Sequence, residues 1–138
     1  MNALLLVFAL AVPAQSQKTT VDMPFLKVGV LNSNNNCFTA ECCKKMLSTF
    51  DKKDIVLMET SVDKIIETKI GSVVCLRQDA NGWLMAKCVF DSPPPQNFVL
   101  RLHSRPVKYT FDQISYNIEE CAVQRFLLVS PVKASRFD

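Results

Sequence analysis

From Phe25 onward, apolar and polar residues alternate in short runs divided by turn-forming residues, and one stretch alone breaks that rhythm. Residues 25–31 are apolar and β-branched apart from Lys27 and Gly29, which predicts a first strand. Asn32, Ser33, Asn34, Asn35 and Asn36 follow. Their short polar side chains bond nearby backbone and suit turn geometry, so this is a loop. The break in rhythm comes next. Cys43, Met46, Leu47 and Phe50 stand at i, i+3, i+4 and i+7 and share one helical face, while Lys44, Lys45 and Ser48 fall on the other. Thr39 is a suitable N-cap, and the spacing predicts a helix over residues 40–51.

Beyond the helix the β-type period takes over. Strands are predicted over residues 55–60, 73–78, 83–90, 98–104, 107–114 and 119–129, and residues 61–70 suit either a short helix or a twisted strand. Pro93, Pro94 and Pro95 donate no ladder bonds and preset extended geometry, so they mark a rigid connection between strands. These connections are too short for helical crossovers. The expected fold class is therefore α+β, with one main amphipathic helix packed on a largely antiparallel sheet.

Residues 1–16 carry no charge, and Ala3 through Val12 are all apolar. A membrane-crossing helix needs about 20 such residues, and the chain turns polar at Gln15, so the pattern predicts a signal peptide, not an anchor. Small residues place cleavage after Ser16, or alternatively after Ala14. Residues 17–130 then form a single secreted domain, and residues 131–138, which lose the alternation, a flexible tail. No second hydrophobic span occurs.

Export changes the reading of the cysteines. An even set in an oxidising compartment predicts disulfides, here among Cys37, Cys42, Cys43, Cys75, Cys88 and Cys121. The C-x4-CC spacing and single histidine do not suit structural zinc. Asn81-Gly82 is the dipeptide of a two-residue type I′ hairpin. Such a turn sets Ala80 opposite Trp83, and counting outward pairs Cys75 with Cys88 at a non-hydrogen-bonded site, where Cα atoms lie about 4.5 Å apart. The other four cysteines have three possible connectivities; Cys43 points from the helix toward the sheet and Cys121 opens the last strand, which favours Cys43 with Cys121 and the local pair Cys37 with Cys42.

Sixteen Lys and Arg against thirteen Asp and Glu give a net charge of +3, too mild for a nucleic-acid-binding domain. Arg101, His103, Arg105 and Lys108 form a basic cluster that suits an anionic partner, with Arg101 and His103 on one strand face and the other two at a turn around Pro106. One histidine excludes chemistry needing two imidazoles, no G-x-S-x-G elbow surrounds a serine, and adjacent Glu119 and Glu120 point to opposite strand faces. Three isolated glycines build no phosphate loop, so no cofactor is expected. The expected function is a secreted, non-enzymatic binding protein or effector whose partner is an extracellular protein or glycan. The alternatives are a secreted inhibitor or lipid-binding module using the Ser92 to Asn97 loop, and a small hydrolase.

If residues 1–16 are a signal peptide, N-terminal sequencing of secreted material will begin at Gln17, or at Gln15 for the alternative site. Retention of Met1 in a cytosolic product would overturn the export expectation.

Overall fold

The computed structural model describes residues 18–131. The predicted signal peptide and, beyond Pro131, the predicted tail lie outside the described residues. In chain order the elements are β1 (Thr19–Lys27), β2 (Asn36–Phe38), α1 (Ala40–Thr49), β3 (Lys53–Thr60), β4 (Ile65–Gln78), β5 (Trp83–Phe90), β6 (Val99–Asp112) and β7 (Ser115–Val129). The expected α+β class is corrected by this inventory. Strand accounts for 63% of the described chain and helix for 10%, so the described residues are mostly β, with one short helix among them.

The physical reason is that the sheet supplies most of its own core. Its strands run β1-β5-β4-β3-β7, with β6 on the far side of β7. The two ends curl together until β1 lies against β6. The concave face thus encloses Phe25, Leu26, Ile55, Val73, Leu84, Ala86, Phe90, Leu100, Leu102, Phe126 and Leu128. Phe25 from one end meets Phe126 edge-on at 5.0 Å. Only Cys42, Cys43 and Met46 enter from α1 as fully buried residues, with Leu47 and Phe50 half-buried beside them. A second, smaller cluster of Val56, Leu127 and Val129 occupies the other face.

Local chemistry sets the start of α1. The Thr39 hydroxyl accepts from the Cys42 amide at 3.1 Å, satisfying one of the unpaired donors of the first turn. The asparagine loop is organised by Asn32, whose Oδ1 accepts from the amides of Asn34 and Asn36, while Asn35 takes φ +62°. The ladder is not wholly antiparallel. β2 and β3 both run parallel to β7, end to end along the same edge, meeting it at residues 116–118 and 126–128. Between those pairings β7 has no ladder partner on that side among the described residues, and α1 packs there.

The hairpin joining β4 to β5 departs from the two-residue turn. Asp79 Oδ1 accepts from the amides of Asn81 and Trp83 at 2.9 Å each, and Gly82 alone takes positive φ, +87°. This is a three-residue loop with glycine in the left-handed position. The extra residue sets Cys75 opposite Lys87, and a bulge at Val74 then sets Val73 opposite Cys88. A one-residue slip turns a side chain to the other face. Cys75 is accordingly exposed and Cys88 buried, and the two cysteines expected to pair are not at bonding distance. Stapling by disulfides is corrected generally: no two of the six cysteines, Cys37, Cys42, Cys43 and Cys121 included, lie at bonding distance.

The strands predicted at 98–104 and 107–114 are one strand, β6, which passes through Pro106 without turning. Among the described residues β6 pairs with β7 only, so Pro106 sits in an edge strand, where a missing amide donor is tolerated. The ambiguous residues 61–70 resolve into the β3–β4 turn and the first part of β4.

β4 and β5 approach closely at Gly71, where a Cβ would run into the Val89 carbonyl oxygen and lie 3.0 Å from the Phe90 Cα. Gly71→Ala should therefore destabilise the fold by about 3 kcal/mol, the upper end of ordinary overpacking. Gly82→Ala meets open space but a left-handed backbone, and should cost about 1–2 kcal/mol. Urea unfolding midpoints of the two variants check the order. A smaller loss at Gly71 would show that the two strands part easily.

Candidate functional site

Beyond Pro106 the β6–β7 hairpin leaves the core, and residues 105–114 are all exposed. Alternation along this end puts large apolar side chains on one face. Phe111 stands opposite Tyr116 and Tyr109 opposite Ile118. The Phe111 and Tyr116 rings lie 4.7 Å apart, and Tyr109 meets Tyr116 at 5.5 Å. Cross-strand aromatic pairs contribute about 0.2–1 kcal/mol each, which helps hold the hairpin where the core no longer does. The turn is carried by Gln113 at φ +54°.

Tyr109 is 53% exposed, Phe111 58% and Tyr116 41%, so this is a solvent-facing aromatic strip. Val107 and Ile114, elsewhere on the same hairpin, are exposed as well. At its base Tyr109 and Tyr116 join Asn36, Pro106 and Ile118 around an open groove of about 390 Å³. Ile118 belongs to the buried core, which makes the strip continuous with the interior. Sequence reasoning singled out none of these rings. Their signal was the alternation Lys108, Tyr109, Thr110, Phe111, Asp112, which marks one apolar strand face but not whether anything covers it.

The basic residues predicted to share a site lie along the opposite face of β6. A bulge at Val107 shifts the strand's parity, so Arg101, His103, Arg105 and Lys108 all stay on the side away from the rings. Arg105 and Lys108 remain within the strand; the turn expected around Pro106 does not occur. Two further groups share the charge. Lys108 pairs with Glu119 at 3.7 Å. His103 Nδ1 accepts from Arg125 Nε at 3.0 Å, and Arg125 makes a two-pronged contact with Glu67 at 2.9 and 3.1 Å. Arg125 holds the Glu67 carboxyl below its ordinary range, and Glu67 in turn raises Arg125. Burial, then the adjacent Arg125, lowers His103.

The third cluster is the set of thiols where α1 meets β7. Twice β7 carries an extra residue against β6, Glu119 and Gln124, each left without a partner. Each bulge reverses the alternation, so Ile118, Cys121, Val123, Phe126 and Leu128 all reach the core side. Cys121 thereby faces α1, where Lys45 pairs with the neighbouring Glu120. Its sulfur lies 3.8 Å from Cys42 Sγ, whereas Cys43 Sγ is directed at the Phe38 carbonyl oxygen 4.0 Å away. The expected Cys43 with Cys121 and Cys37 with Cys42 pairings do not match these contacts, because Cys42 and not its neighbour turns toward β7.

Comparison of the chain with protein-family models, with curated proteins and with solved structures finds no match. Among the described residues, no helix is long and apolar enough to cross a membrane.

His103 supplies a pH test of the Glu67, Arg125 and His103 chain. Its folded pKa lies below the ordinary value of about 6.5, so the unfolded state takes up the proton first as pH falls. Stability should therefore drop as pH falls through about 6.5 and level off only below the folded pKa. His103→Gln should flatten that slope in urea unfolding, and an unchanged slope would place its origin elsewhere.

Proposed function

We propose that this chain is a secreted, non-enzymatic binding protein that engages an extracellular protein through the projecting end of the β6–β7 hairpin. The observation carrying this reading is the exposed strip of Tyr109, Phe111 and Tyr116. Aromatic side chains are enriched at protein interfaces and among the few residues that dominate their energy, because they bury a large area with little rotamer entropy to lose. Their mutual packing preorganises the strip before a partner arrives. Export rests on the uncharged apolar segment at residues 3–12 followed by small residues. A protein partner is favoured over a glycan because the cations of the opposite face are partly matched by Glu67 and Glu119.

Site-specific photocrosslinking tests the reading. A photoreactive phenylalanine analogue is placed at Phe111 and, as a control, at Val62, which is 99% exposed in the β3–β4 turn. In extracellular fluid of the source, the Phe111 probe should give a discrete adduct that unlabelled wild-type protein competes away. A competitor carrying Tyr109→Ser and Tyr116→Ser should fail to do so. Equal labelling from both positions, or equal competition by the variant, would overturn the proposal.

A further inference from the structure

We propose that Cys42 and Cys121 are a reactive dithiol that low-molecular-weight disulfides oxidise to an intramolecular bridge, locking α1 to β7. Three independent placements converge on this pair. The stretch of β7 between its pairings with β2 and β3 is open on that edge, which lets α1 approach. The bulge at Glu119 turns Cys121 toward the helix. The first turn of α1, fixed by the Thr39 cap, then brings Cys42 Sγ to 3.8 Å from Cys121 Sγ.

The two thiols are unequal, as such chemistry requires. Cys42 is 1% exposed, whereas Cys121 is half-buried and lines an open cavity of about 210 Å³ with Met46, Thr49, Phe50 and Lys53. Cys42 donates its S–H to Cys121. That hydrogen bond, and another from Ser104, stabilise the Cys121 thiolate and lower its pKa. The same bond and burial push Cys42 well up. Cys43, fully buried, is pushed up to about 12, first by burial, and faces Phe38 instead.

Cys121 is therefore the attacking thiolate and Cys42 the resolving thiol. Cys121 Sγ bonds to one sulfur of the small disulfide and expels the other as a thiolate, which takes up a proton. Cys42, on losing its proton, then attacks Cys121 Sγ and displaces the second small thiol. Two protein thiols are oxidised, one small disulfide is reduced to two thiols, and both protein protons end on the released thiols.

The test equilibrates the reduced full chain across a series of oxidised-to-reduced glutathione ratios. Free thiols are then trapped by alkylation, and the linked peptides are mapped by mass spectrometry. Cys37, Cys42 and Cys43 lie close in sequence, so C42S, C43S and C121S are run beside wild type. C43A is added so that a buried hydroxyl does not confound folding. Wild type and at least one Cys43 variant should lose two alkylatable thiols together and join Cys121 to the Cys42 peptide. C42S should lose that bridge and accumulate one glutathione on Cys121; C121S should leave Cys42 alkylatable. Bridging to Cys121 that persists in C42S, or a wild-type Cys121 that stays alkylatable at the most oxidising ratio, would overturn the proposal.

Discussion

The pairing of β7 along its two edges, with one gap that α1 covers, is what the rest of the structure is arranged around. One edge is bonded to β6 along nearly its whole length. The other is shared by β2 and β3, two short parallel partners set end to end with α1 between them. Buried polar backbone groups left without partners are costly, so a strand so deeply placed dictates where its neighbours go. The inward-facing Phe126 and Leu128 join the core shared with β1, and their neighbours Leu127 and Val129 seed the smaller cluster. A 15-residue strand with two bulges can thus serve the core, the helix contact and the projecting hairpin.

Parts of this arrangement were legible in the sequence for identifiable reasons. The run Trp83–Phe90 is a strand with the anticipated bounds, because it is a short apolar run interrupted only by Lys87 and turn residues flank both ends. The helix starts where Thr39 and the 3.6-residue period place it, but the curled sheet, not the helix, supplies most of the core. A hydrophobic period reports that a face is buried. It does not report how much of the core that face provides.

Other parts were hidden by competition between local signals. Asn81-Gly82 favours a two-residue turn, yet the Asp79 carboxylate captures two amides and stabilises a longer one. Pro106 reads as a strand end only if both edges of β6 need donors, and at that position one edge is free. The turn at Gln113 and Ile114 has no glycine, asparagine or proline to announce it. Cys43 fits the apolar period better than Cys42, and the face that meets β7 depends on a bulge that alternation alone does not encode. The aromatic strip was visible as a pattern, but its exposure is a tertiary fact.

Edge strands invite unwanted pairing, and β6 carries the features that resist it. Pro106 removes a donor, Val107 bulges out of the ladder, and Lys108 adds charge within three consecutive residues. Protection of the backbone edge and exposure of the aromatic face therefore coexist on one hairpin, because one concerns main-chain bonding and the other side-chain contact.

The loop between β4 and β5 has a consequence for how this chain tolerates change in its length. Asp79 and Gly82 define a turn whose residue count sets the phase of the neighbouring pairs, from Gln78 opposite Leu84 to Cys75 opposite Lys87. An inserted or deleted codon there would act less like a loop polymorphism than like a frame error in three dimensions. It would exchange the inward and outward inventories of a strand while leaving nearly every residue unchanged. Length in this turn is thus under tighter constraint than the identity of the residues at its exposed tip.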